Sequence, residues 1–133
     1  MFLRPLKTEQ KVLFLGLAER AALANKITEE PERQLLAAFA DEMGIAPADR
    51  SGLELDALCK ELKELSSLKE LHQMTFEIVG MLLSDSSFDA DEQAFLSTIA
   101  VAFGISAETI AEMKQCVDDY MILIRRINKL MFS

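Results

Sequence analysis

Four carboxylates fall within eight residues at Asp85, Asp89, Asp91 and Glu92, inside the stretch LSDSSFDADEQAFLSTIAVAFG at positions 83–104. Clustered carboxylates suit two kinds of chemistry, oxygen ligation of a hard divalent cation and acid–base catalysis. Asp85, Ser87, Asp89 and Asp91 follow the alternate spacing that opens an EF-hand loop. Ala90, however, stands where that loop needs glycine, and Leu96 where it needs its bidentate glutamate, so the stretch is not an EF-hand. The same residues also suit helix capping. Asp89 as N-cap with Glu92 three residues on forms a capping box, and Asp91 and Glu92 face the positive end of the helix, worth about 1 kcal/mol without any metal. Capping alone and a weak Ca²⁺ or Mg²⁺ site both stay open at this point.

Other reactive side chains are sparse. His72 is the single histidine and lies on a mostly polar part of a helix, and no Gly-x-Ser-x-Gly turn accompanies the serines. Cys59 and Cys116 stand alone and far apart, which fits two small buried hydrophobes better than a disulfide or redox pair. Tyr120 and the seven methionines fall at core spacing. With 14 basic and 22 acidic residues the net charge is −8, a balance that repels phosphate backbones and argues against nucleic acid as a partner. Half the residues are hydrophobic and the mean hydropathy is +0.16, so part of the surface is expected to serve a partner. The N-terminal MFLRPLKTEQ is broken by Pro5, Lys7 and Glu9 before any signal-peptide run develops, and no apolar run approaches the roughly 20 residues of a membrane span. A cytoplasmic protein is the expectation.

The elements that hold these residues are helices. At 133 residues, with five glycines and three prolines and no sustained alternation, apolar residues recur at helical spacing throughout. A first helix from Thr8, the candidate N-cap, to about Ala24 is apolar on most faces and belongs at the centre. A second follows a turn at 25–28, with Thr28 as cap, and stops at Gly44. A loop over 46–52 leads to a third helix through Leu55, Leu58, Leu62 and Leu65. Ser67 and Glu70 form a capping box that opens a fourth, and 85–89 is the next turn. The fifth helix runs from Asp89 to Gly104, and Ser106 caps a last helix over about 107–130. The chain is therefore expected to be all-α, a single-domain bundle of six or seven helices.

Gly44 and Gly104 lie 60 residues apart, and at that offset Glu32 matches Glu92, Leu35 Phe95, Leu36 Leu96, Phe39 Ile99, Ala40 Ala100, Met43 Phe103 and Ile45 Ile105. Upstream, Leu23 falls on Leu83 and Asn25 on Asp85. Two copies of helix, acidic turn, helix and glycine, over about 8–45 and 68–105, are expected to pack about a pseudo-two-fold axis.

This pattern resembles the TerB-like family, named for tellurite-resistance proteins. The matching residues are Leu83, Ser84, Asp85, Phe88, Glu92, Leu96, Ala100, Phe103, Gly104 and Ile105, and more weakly Ala24, Asn25, Ile27, Glu32, Leu36, Gly44 and Ile45. The resemblance implies an all-helical, stress-associated module with a divalent metal at its paired acidic residues, here Asp85 and Glu92 in the second copy and Glu32 in the first; Asp89, from the acidic cluster itself, is a further candidate ligand. The first copy has Asn25 in place of the aspartate, and Lys26 and Ser86 replace the glycine of the family's turn.

The last helix carries the other candidate site. Residues 120–124 (YMILI) are apolar on more than one face, Arg125, Arg126 and Lys129 follow, and Leu130, Met131 and Phe132 close the stretch. Ile122, Leu123, Leu130 and Phe132 are candidate interaction residues. The helix is buried on two sides within the bundle, pairs with a second copy, or lies on an anionic membrane. Phe2 and Leu3 could cover the same patch. The expected function is a non-catalytic interaction module with an unknown protein partner or itself as a homodimer. The alternatives are an enzyme using Asp85 or Glu92 and a peripheral membrane module.

Overall fold

Helix α1 (Thr8–Ala24) buries nine residues spread over most of its circumference, among them Leu13, Phe14, Leu15, Leu17, Ala18 and Ala21. A helix apolar on so many faces has to be enclosed. The computed structural model shows how: α2 (Glu29–Met43), α3 (Leu55–Leu65), α4 (Leu68–Leu82) and α5 (Ala90–Phe103) all pack on α1, and α6 (Ala107–Phe132) packs on α4 and α5. The structure describes residues 1–24, 29–45, 54–83 and 88–132, with backbone only at 29–32 and 35. Among these the chain is all-α, with six helices and no strand. The expected turns at 25–28 and 85–89, with Thr28 as cap, and the loop at 46–52 fall wholly or largely outside the described residues.

One contiguous core contains side chains from all six helices. Phe14 of α1 is fully buried and meets Phe39 of α2 edge to face, with ring centroids 5.5 Å apart. Leu3 and Leu6 also enter this core, so the segment before α1 is anchored by burial. Leu3 therefore packs inside and does not cover the last helix.

The helix ends follow local chemistry. The side chains of Ser67 and Glu70 reciprocate as a capping box at α4, with Ser67 Oγ accepting from Glu70 N at 3.1 Å. Glu70 sits below the usual carboxylate range because its carboxylate accepts the Ser67 backbone N–H. Ser106 Oγ accepts from Thr109 N at 3.1 Å and caps α6. Gly44 and Gly104 adopt the left-handed conformation, φ 70° and 72°. The next N–H in each case reaches five residues back, Ile45 to the Ala40 carbonyl at 3.0 Å and Ile105 to Ala100 at 2.9 Å, which is a Schellman close.

The start of α1 differs from the expectation. Thr8 is already helical, and the Lys7 carbonyl accepts the first helical hydrogen bond from Lys11 N. Gln10 takes over the capping: its Oε1 accepts from Lys7 N at 2.8 Å, and its Nε2 donates to Ser66 Oγ at 2.9 Å. One buried amide thus caps α1 and ties it to the junction of α3 and α4.

Phe14→Ala tests the central role of α1. It removes a fully buried ring and its contact with Phe39, and the expected loss is about 3–5 kcal/mol in denaturant unfolding.

Candidate functional site

Of the four carboxylates proposed for a metal, the structure places two. Asp85 lies outside the described residues, and so does the side chain of Glu32, although its backbone belongs to α2. Asp89 and Glu92 are brought together at the start of α5. Asp89, in extended backbone, accepts the Glu92 N–H on Oδ1 at 2.9 Å, and Glu92 Oε1 accepts the Asp89 N–H at 3.2 Å. Glu92 is only 2 % exposed. Beside them Lys114 of α6 stands 4.3 Å above the Phe88 ring and donates to Gln93 Oε1 at 3.3 Å, fastening α6 to the start of α5.

A hard cation needs about six to eight oxygens for Ca²⁺ or an octahedron for Mg²⁺. The two carboxylates that are placed each commit an oxygen to the cap, and no group of three or more metal-ligating side chains occurs among the described residues. The two placed carboxylates form a helix cap, and the other two proposed ligands, Asp85 and the Glu32 side chain, lie outside the described residues.

A second site lies on the other side of α6. A groove of about 680 Å³ runs between α4 and α6. Phe76, Gly80 and Met81 form one wall, Cys116, Val117, Tyr120 and Met121 the other, with Phe39 from α2 and Phe2 also lining it. Phe2 meets Phe76 edge to face at 6.0 Å and so walls the groove instead of covering α6. The Met1 ammonium closes the groove's polar edge, 2.7 Å from Glu42 and 2.8 Å from Glu77. Burial alone pulls the pKa of that ammonium down, but the hydrogen bonds it donates to Glu42 and Glu77 outweigh it and the net shift is upward. Gly80 is the opening in the wall. A Cβ there would meet nothing within 4 Å, although a glycine inside a helix costs about 1 kcal/mol relative to alanine.

Beyond the groove, α6 leaves the bundle. Ile110, Met113 and Val117 are buried, Met121 is half-buried, and every residue from 122 to 132 is exposed. Leu123 is 52 % exposed and Leu130 73 %, and Tyr120, Ile122, Met131 and Phe132 are likewise uncovered. Burial on two sides within the bundle is therefore excluded for this part of the helix, and Tyr120, Met1 and Met131 are not core residues. Cys116 is exposed too, so only Cys59 is the buried hydrophobe expected of both. Burial, with Asp56 nearby, pushes the Cys59 thiol up to about 11, which keeps it unreactive.

Among the described residues no helix is long and apolar enough to cross a membrane. His72 is half-buried on α4. The groove was not foreseen from the sequence, because Phe2, Phe39 and Phe76 converge only through tertiary packing. Gly80, an isolated glycine within an apolar helix, was its one local signal.

Compared with protein-family models, curated proteins and solved structures, the chain matches none. The chemistry of both sites rests on their own geometry. For the acidic turn, Asp89→Ala is expected to lower unfolding stability by about 1 kcal/mol, equally in chelator and in millimolar Ca²⁺. A loss confined to the Ca²⁺-containing buffer would move the pair from capping to coordination.

Proposed function

We propose that the chain is a non-catalytic interaction module that docks a helical partner along the outer half of α6 and the groove at its root. The observation that carries this reading is the continuous apolar surface from Phe76 and Gly80 through Tyr120 to Leu123, Ile127 and Leu130, uncovered by any described residue. An apolar patch of this kind on a charged domain marks an interaction surface. The surface is also a poor place for catalysis, since the carboxylates at its edge, Glu42 and Glu77, are held by the Met1 ammonium.

The TerB-like, stress-associated setting is part of the proposal. It is supported by the resemblance over 83–105 and by the matched closes at Gly44 and Gly104, which repeat the same backbone bonds at the same 60-residue offset. An internal repeat of two helical hairpins accounts for both.

The triple variant Leu123→Gln, Ile127→Gln, Leu130→Gln tests the reading in dilute protein, whatever the natural partner. Glutamine keeps helix propensity. The unfolding free energy is expected to stay within about 0.5 kcal/mol of the parent, while saturable binding of an apolar fluorescent dye is lost. A loss of several kcal/mol would make the outer half of α6 part of the chain's own core and end the docking proposal.

A further inference from the structure

The seven methionines fall into two sets. Met43, Met74 and Met113 are buried in the core. The other four share one surface. Met1, Met81 and Met121 line the groove between α4 and α6. Met131 lies further out on α6, where Tyr120, Ile124, Ile127 and Met131 follow in steps of four, three and four and so share a face. Met1 and Met131 are each 68 % exposed, and Met121 is half-buried. Every methionine that is not buried therefore lies on the docking surface, and those that hold the bundle together are covered.

A thioether is apolar, flexible and polarisable, which suits a surface that must accommodate a partner. It is also open to two-electron oxidation. The sulfur lone pair attacks one oxygen of hydrogen peroxide, the O–O bond breaks, an S–O bond forms and water leaves. The sulfur loses the two electrons that the peroxide gains. The product is a polar sulfoxide, and methionine sulfoxide reductases return it to the thioether. Pressed against the apolar seam of a partner helix, that oxygen becomes a buried polar group without a hydrogen-bond donor, which disfavours the bound state.

We infer that Met121 and Met131 are oxidation sites through which hydrogen peroxide turns the docking surface off while the fold stays intact. Their positions divide the work. Met121 stands in the groove beside Val117 and Tyr120, and Met131 stands on the open stripe beyond it, so sulfoxides at the two would interrupt the apolar surface at both ends. The enclosure of Met43, Met74 and Met113 keeps the same oxidant from loosening the core. Cys116 is the other exposed sulfur in the groove and reacts with the same oxidant, so its contribution has to be removed in the test.

This inference rests on the docking reading, and its test separates the two. The whole chain carrying Cys116→Ser is treated with limited hydrogen peroxide and mapped by peptide mass. Sulfoxide is expected at Met1, Met121 and Met131, with Met43, Met74 and Met113 still thioethers. The midpoint of denaturant unfolding should not move, whereas affinity for the apolar dye anilinonaphthalene sulfonate should fall about tenfold or more and return with the reductases. Met121→Leu with Met131→Leu removes both sulfurs at nearly constant volume, and this variant should keep its dye affinity through the same treatment. Met1 is oxidised in both chains and drops out of the comparison. Unchanged dye affinity with both sulfoxides present overturns the inference, as does an equal loss in the leucine variant or oxidation of the core methionines at the same rate. If the glutamine variant loses the dye and the oxidised parent keeps it, the docking reading stands and this inference alone falls. Dye binding that survives the glutamine changes overturns both.

Discussion

A helix that offers apolar side chains on nearly every face has to be surrounded before folding gains anything from it. α1 is that helix here, and four others meet the demand by packing on it: α2, α3, α4 and α5. The buried Gln10 amide sets the register of this arrangement at one end by joining the start of α1 to Ser66. One turn further along, the Phe14–Phe39 contact holds α2 against the same helix.

Once α1 is enclosed, the bundle has little left with which to cover a sixth helix. α4 and α5 offer α6 a seat only as far as Val117, and Lys114 over Phe88 fixes its beginning. The seam of α6 continues unbroken past that point, so the helix carries its apolar stripe out beyond the surface that generated it. The groove is the boundary between the two regimes, with core on one side and an uncovered helix on the other. The acidic turn, by contrast, uses its charge locally. The Asp89 and Glu92 carboxylates each accept the other's backbone N–H and give α5 a firm start, and that start positions Gln93 to receive Lys114.

Much of the fold was legible because it depends on short-range chemistry. The capping boxes at Ser67–Glu70 and Asp89–Glu92, the Ser106 cap and the two glycine closes each need only a few neighbouring residues, and all five form as the sequence predicts. The start of α1 was misread because Gln10 caps it from inside the helix while also reaching Ser66, a residue 56 positions away. Tyr120 and Cys116 were assigned to the core because helical spacing reports which face is apolar and is silent on whether anything covers that face. The groove escaped for a similar reason. Phe2, Phe39 and Phe76 come together only through the packing of separate elements, and periodicity within any one of them carries no trace of it.

The central claim is that the chain's own fold covers α6 only to about Val117 and leaves the rest for a partner. Amide hydrogen exchange along α6 in dilute protein addresses it most directly. The account predicts slow exchange at 110–117. It predicts fast exchange at 122–132. Equal and strong protection of both segments would contradict it, because the outer half of α6 would then be covered by the chain itself.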